Sequence, residues 1–408
     1  MAAEPQQILL KVYQAALEAV HGRRCVNESL KGYPCHAPVY LIALGKAACA
    51  MAQGAHDALG AGIVDAFIVT KPGFAESLPW PVLEAGHPLP DERSLAAGQA
   101  LLDFATRIPS GASVLVLISG GASALVEVLP QGVTLENLHA LNDWLLASGL
   151  DITACNQLRK RCSLIKGGRL AERFAPRPVL CLAISDVPGD DPRIIGSGLL
   201  TADPELALPA DFSGFPEFVR DALRHSPPAP RVGDASFQNV RVEIIAGLGA
   251  AKSAAAKAAR ELGYGVKLHP EFIAGDALEA GERLARTLLA APAGEMQIWG
   301  GETTLKLPSL VGRGGRNQSL ALSAAQVLSA REHVWFLSIG TDGNDGPTLD
   351  AGALVDGGTI ARGELEGLNI AQALATADAG TFLEASGDLI QTGPTGTNVM
   401  DLMLGLQA

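Results

Sequence analysis

Short apolar runs at helix-length intervals restrict the fold of this chain more than any other feature of its sequence. VYLIAL (39–44), AFIVT (66–70), SVLVLIS (113–119), VLCLAIS (179–185), VRVEIIAG (240–247), MQIWGG (296–301) and VWFLSIG (334–340) each stand between glycine or polar turn residues. Runs of that length, apolar throughout and spaced widely enough for an intervening helix, are the pattern of buried strands in parallel sheets. The expected class is therefore α/β. In open sheets of that class ligands sit beyond the carboxyl ends of the strands, and residues of unusual chemistry gather at those ends here.

At 408 residues the chain exceeds what one hydrophobic core usually supports, which predicts two domains. HSPPAPRVGD (225–234), rich in proline and followed by a new strand, is the expected linker, dividing the chain into 1–235 and 236–408. A net charge of −12 argues against nucleic acid or an anionic membrane as partner, since both demand a basic surface. A local basic site for a small anion is still allowed. The opening MAAEPQQILLKVYQAALEAV reads as a helix, because it lacks the basic-then-apolar pattern of a secretory signal, and no run approaches the roughly 18 apolar residues of a membrane span. Six cysteines with no CxxC pair fit reduced thiols and a cytoplasmic setting, with neither a disulfide framework nor a zinc site.

SVLVLIS runs straight into GGASALVEV, which puts Ser119, Gly120, Gly121 and Ser123 on the turn opening a helix. Such a turn offers unpaired N–H groups and close backbone approach to a phosphate or carboxylate, or it is a plain strand-to-helix turn needing small residues. VYLIALGKAACA repeats the layout with Lys46 just past the strand, either a point charge for phosphate oxygens or a solvated surface lysine. LRKRCSLIKGGRLAERF concentrates Arg159, Lys160, Arg161, Lys166 and Arg169 in one segment. Its two glycines, each costing about 1 kcal/mol relative to alanine inside a helix, imply a packing or ligand reason. AISDVPGDDP closes a strand with Asp186, Asp190 and Asp191, carboxylates able to hold Mg²⁺ beside phosphate and equally good turn formers.

GGETT (300–304) follows strand MQIWGG, and GRGGRNQ then leads into a helix with Arg316 near its start. An arginine gains nothing from the positive end of a helix, so an anion between the two is expected, with a merely solvated arginine as the alternative. GTDGNDGPTLDAGA places Asp342, Asp345 and Asp350 behind VWFLSIG without matching the calcium-loop pattern of an EF-hand. TGPTGTNVMDL, dense in threonine and glycine with Asn398 and Asp401, suits polar-ligand contacts or turns. AGLGAAKSAAA has alanine at 246 and 251, where a phosphate loop needs glycine, and no dinucleotide GxGxxG fingerprint occurs.

Taken in order, GKAA, AGHPLPDERS, ISGGASAL, LRKRCSLIKGGRLA, SDVPGDDPRIIGSG, GGETT, GRGGRNQ, GTDGNDGPT and TGPTGTNVMDL resemble the type 2 glycerate kinases over nearly the whole chain. The resemblance implies an N-terminal Rossmann-like parallel-sheet domain and a C-terminal α/β MOFRL domain, with the active site in the cleft between them. It implies ATP, Mg²⁺ and D-glycerate, with 2-phosphoglycerate as the product. Some members carry the label hydroxypyruvate reductase, which keeps an NAD(P)H-dependent enzyme as the alternative, and a two-domain organic-acid binding protein and a homodimer both stay open. The family's essential lysine falls on Lys46 and its essential arginine on Arg316, while Ala122 stands where members often have a third glycine. Both cations are then expected at the transferring phosphoryl group, and Asp186 as a Mg²⁺ ligand or the base, with Asp190 as a second metal ligand. Ser119, Gly120, Gly121, Ser123, Lys166, Arg169, Glu302, Asn317, Asp342, Thr395 and Asn398 are expected on substrate or nucleotide.

Overall fold

A computed structural model describes residues 4–32, 38–206 and 212–408, which leaves Cys35 outside the described residues. The chain forms two compact units, one of Gly22–Ile245 and one of Met1–His21 with Ala246–Ala408. This differs from a division at 235/236 at both ends, for reasons of apolar burial. The helix Pro5–Ala19 buries Ile8, Leu9, Val12, Tyr13 and Ala16 along one stripe and packs on the helix Leu248–Glu261. The segment 225–234 is followed by a strand whose Val240, Val242 and Ile244 pack on the core of the first unit. Proline and glycine therefore mark turns inside that unit. Among the described residues no helix is long and apolar enough to cross a membrane.

In the unit of Gly22–Ile245, strands β1 (Val39–Leu44), β2 (Ile63–Thr70), β3 (Val82–Glu84), β4 (Ser113–Ile118), β5 (Val179–Ile184) and β6 (Val240–Ala246) lie in the order β3-β2-β1-β4-β5-β6. Pairings β1 with β2 and β4, β2 with β3, and β4 with β5 are all parallel. Leu41, Ile42, Ala43 and Leu44 have no exposed surface, so both faces of β1 are covered, as an all-apolar strand demands. The strand order reverses direction between β1 and β4, whose ends are level at Leu44 and Ile118. That reversal is the place where an open α/β sheet leaves a crevice for a ligand. The helices Leu135–Ala147, Ile152–Arg161 and Glu217–His225 share a smaller apolar core of their own through Leu138, Leu141, Leu145, Leu158, Val219 and Leu223.

The other unit holds β7 (Gly265–Ile273), β8 (Glu295–Gly301), β9 (Val334–Gly340), β10 (Gly352–Asp356), β11 (Leu389–Ile390) and β12 (Asp401–Gln407), in the order β11-β10-β9-β12-β8-β7. Of the paired neighbours among the described residues only β7 with β8 is parallel, and β12 is antiparallel to both β8 and β9. MQIWGG and VWFLSIG thus lie in a mixed sheet and not in the parallel one expected. They read as parallel strands because helices cover both faces: Ala277–Leu289 and Arg316–Leu328 on the side of Trp299 and Phe336, Pro5–Ala19 and Leu248–Glu261 on the other. Double-sided burial reports cover, not strand direction. Gly281 permits the tight crossing of the first two helices, since a Cβ there would overlap the carbonyl oxygen of Leu320.

Candidate active site

At the reversal point two strand-end turns are joined side by side. Ser119 donates its N–H to the oxygen of Leu44 (2.9 Å), Lys46 donates its N–H to the oxygen of Gly120 (2.9 Å), and Ser119 Oγ accepts from the N–H of Ala47 (3.0 Å). Lys46 stands two residues before the helix Ala48–Leu59, where the sequence placed it. Gly121, at φ +86°, is a position where a Cβ would come 2.9 Å from the His87 ring and 3.4 Å from Lys46 Cγ. His87 and Lys46 thus crowd the same glycine. The helix opened by this turn is only Ala122–Leu125, so few peptide dipoles add at its start, and the Ser119 hydroxyl is already committed to Ala47.

A pocket of about 450 Å³ borders the turn, its lining drawn from Gly22–Ile245 and including His87, Gly121, Ser123, Glu127, Asn142, Asn156, Arg159, Lys160, Lys166, Asp186 and Ser197. Its size is that of a small-molecule site. Ser123 and Ser197 share a hydroxyl–hydroxyl bond of 2.7 Å. Lys166 Nζ meets Glu127 Oε2 at 2.5 Å, Ser163 Oγ donates to the other Glu127 oxygen at 2.6 Å, and Lys160 Nζ meets Asp203 at 2.6 Å, all nearly fully buried. Charges so far from water persist only when paired, so both lysines enter the pocket as neutralised pairs. Arg159 is held differently, donating from Nε to Asn142 Oδ1 (3.0 Å) and from NH1 to Asn156 Oδ1 (3.3 Å).

Arg169 is absent from this lining and serves the backbone. It donates to the carbonyls of Lys160 and Lys166 at 3.0 Å and of Pro227 at 3.1 Å, bracing a turn in which Gly167 and Gly168 are both left-handed. Burial, reinforced by nearby Arg161, pushes its pKa down to about 10. The two glycines are therefore explained by packing. Asp186 follows β5 and lines the pocket half-buried, whereas Asp190 is exposed at φ +54° and Asp191 pairs with Arg193 at 2.6 Å. Among the described residues no three histidine, cysteine or acidic side chains form a metal cage. Mg²⁺ does not need one, since it commonly takes one or two protein carboxylates and keeps waters and phosphate oxygens, so Asp186 is a fitting donor.

In the other unit Arg316 begins the helix Arg316–Leu328, and its guanidinium is clasped by acids of the protein itself: Nε to Asp401 Oδ2 at 2.6 Å, NH2 to Asp401 Oδ1 at 3.0 Å and to Glu302 at 3.1 Å. Asp345 accepts the N–H groups of Asn317 (3.0 Å) and Gln318 (2.8 Å), capping that helix. The anion expected between arginine and helix start is thus supplied internally, a correction that follows from the cost of leaving helix N–H groups and a guanidinium unpaired. Burial acts to lower the Arg316 pKa but is outweighed by Asp401 and Glu302, and the net shift is upward. Burial pushes the Asp345 pKa up to about 7, against the pull of the two N–H bonds and of Arg316.

Asp401 opens β12 in register with Gly301 of β8 and Gly340 of β9, so three strand ends converge on it. Asn317 is enclosed, accepting from Ser338 Oγ at 2.8 Å. Asp342, buried on the turn after β9, accepts the N–H of Asn344 at 3.0 Å. Thr395 donates to the oxygen of Thr341 at 2.5 Å, and Asn398 is buried. Tyr13 reaches the same strand end, donating to the Gly340 oxygen at 2.9 Å; burial, and then Asp342 and Asp401, raise its pKa. His87, Glu127, Asn142 and Asn156 were not among the expected site residues, and Asp345 and Asp401 stood out only as members of polar turns. AGHPLP and the acidic turn after VWFLSIG were the available signals, but a hydrogen-bond partner cannot be read from spacing.

A family described as a domain of unknown function (DUF4147) matches residues 8–210, and the MOFRL family matches residues 295–401. The chain is 36% identical to a D-glycerate 2-kinase of Thermotoga maritima, covering 98% of each protein. It is 35% identical to an Agrobacterium vitis protein named as a hydroxypyruvate reductase, over 97% of this chain and 93% of that one. Among solved structures, a glycerate kinase of Thermotoga maritima matches with a TM-score of 0.83 at 35% identity, over 98% of this chain and 99% of that one.

Proposed function

Since the chain belongs to the glycerate 2-kinase family, we propose that it transfers the γ-phosphoryl group of ATP to D-glycerate, giving 2-phosphoglycerate, with Mg²⁺ as the metal. The observation that carries this reading is likeness over both units at once, at 36% identity and 98% coverage, to a protein named for that reaction. Free thiols at all five described cysteines accord with a reducing, cytoplasmic setting.

Phosphoryl transfer asks a protein for positioning and for neutralisation of charge on the γ-phosphoryl oxygens more than for covalent chemistry. Lys46, on the turn after β1, is assigned to those oxygens. Arg316 is assigned to phosphoryl oxygens as well: Asp401 fixes the plane of its guanidinium, and NH1 has no protein partner among the described residues. Asp186 is assigned to receive the acceptor's hydroxyl proton or to hold Mg²⁺, with Asp190 in support. Asp186 would hold the Mg²⁺, which when bound would supply neutralisation of phosphate charge. Gly121 and Ser123 would contact the ligand from the pocket wall.

A hydroxypyruvate reductase is the second reading, favoured by the name of the Agrobacterium relative. The strand order β3-β2-β1-β4-β5-β6 is one that dinucleotide-binding domains use, but its first strand-to-helix turn reads LGKAA and lacks the glycine fingerprint. Phosphorus NMR of a mixture of ATP, Mg²⁺ and D-glycerate with the enzyme tests the choice. The kinase reading expects a new phosphomonoester resonance coupled to the C2 proton; NADH oxidation with hydroxypyruvate and no such resonance overturns it.

A further inference from the structure

We propose that Arg159 receives the carboxylate of the acceptor substrate and so makes the pocket select hydroxy acids over neutral polyols; the inference rests on the kinase reading above. Three long cationic side chains line the pocket, and they are not equivalent. Lys160 and Lys166 each meet a buried carboxylate, at 2.6 and 2.5 Å. Arg159 meets only the amide oxygens of Asn142 and Asn156 and makes no ion pair among the described residues. Neutral acceptors aim a guanidinium without cancelling its charge. The arrangement therefore holds an oriented, uncompensated cation at a concave surface, with NH2 left for a ligand.

A planar guanidinium with free N–H groups matches a carboxylate in shape as well as charge. The supporting side chains are fixed by packing: Asn142 lies on the helix Leu135–Ala147, Arg159 and Asn156 on Ile152–Arg161, and these two helices bury Leu141, Leu145 and Leu158 together. The strand-end turn with Gly121 and His87 borders the same pocket from other elements. A small acid can thus be gripped at its carboxylate by the helical layer while its hydroxyls remain outside that grip. Of the two acids in the lining, Glu127 is already committed to Lys166 and Ser163.

The test uses the full chain, as wild type, Arg159→Gln and Arg159→Lys. Steady-state KM is measured for D-glycerate and for ATP, D-glyceramide is compared with D-glycerate as acceptor, and calorimetry follows binding of D-glycerate without turnover. Loss of one charge-assisted contact predicts a KM for D-glycerate raised about 10- to 100-fold in Arg159→Gln, with that for ATP within about twofold. Arg159→Lys should recover part of the loss, and the preference of wild type for glycerate over glyceramide should shrink in Arg159→Gln. Unchanged constants in a folded, active variant overturn the inference alone, and a raised KM confined to ATP overturns it by assigning the guanidinium to the nucleotide. Wild type inert as a kinase overturns the functional reading instead; calorimetry with D-glycerate and hydroxypyruvate then decides, since acid binding that survives Arg159→Gln removes the carboxylate receptor.

Discussion

Arg316 and Asp401 are joined at two points, Nε to Oδ2 at 2.6 Å and NH2 to Oδ1 at 3.0 Å, on a carboxylate that is 1% exposed. A fork held at two points keeps its plane, which leaves the remaining edge aimed in one direction. Asp401→Asn preserves shape while removing the charge, and kcat is expected to fall about 10- to 100-fold, or roughly 1.4 to 2.7 kcal/mol of transition-state stabilisation. Asp388→Asn, which strips a buried partner from Arg362 in the same unit, provides the contrast: lower thermal stability with turnover retained. Steady-state kinetics and thermal unfolding on both variants separate the two effects. Equal losses of turnover would show that the Asp401 pairing does not orient the arginine.

Lys46→Ala and Arg316→Ala are each expected to lower kcat by about 10³-fold or more, on the scale of other phosphate-stabilising cations, with far-UV circular dichroism unchanged. Near wild-type turnover in either would remove that residue from the phosphoryl group.

Gly121→Ala and Gly73→Ala separate backbone strain from local crowding. Both glycines are left-handed, at φ +86° and +81°, so each substitution should cost about 1 kcal/mol or somewhat more. A Cβ at 73 meets nothing within 4 Å, whereas one at 121 stands 2.9 Å from the His87 ring. Urea unfolding should therefore show loss in both, and turnover should drop only in Gly121→Ala, through displaced His87 and Lys46 side chains.

Asp345 carries a folded-state pKa near 7, raised by burial above the ordinary carboxylate value near 3.9. Between those values the folded chain binds more protons than the unfolded one, so this group's contribution to stability is full below about pH 4 and declines as pH rises through 7. Asp345→Asn removes that dependence. The stability difference between wild type and variant should shift in the variant's favour from pH 5 to pH 8, measured by urea midpoints. A difference that stays constant would mean that the carboxylate does not titrate in that window.

The seven apolar runs are all strands, because apolar length and spacing are local properties that survive any arrangement of neighbours. β12 went unrecognised as a strand although it is central in its sheet; DLMLGLQ reads equally as the end of a loop motif, and only pairing with Gly301 and Gly340 makes it a strand. Lys46 at a strand end was legible for the same local reason. What was not legible is who neutralises whom. The positive field at the start of the Arg316 helix called for an anion, but the acids that meet it are distant in sequence: Asp345 lies 28 residues beyond Asn317, and Asp401 lies 85 beyond Arg316. Pro-Gly composition pointed to 235/236 whereas the compact units part at 21/22 and 245/246, because turn chemistry and the end of a core are different things.

The first helix belongs with strands made from the other end of the chain. During synthesis it emerges long before Leu248–Glu261, its packing partner, and the whole of Gly22–Ile245 is made in between. Its stripe of Leu9, Val12 and Tyr13 has to await that partner while the inserted unit builds its own core, and β12, later still in the chain, completes the sheet of the waiting half. Assembly is therefore expected to proceed from the inserted unit outwards, with the helix Pro5–Ala19 as the stretch most dependent on chaperone shelter.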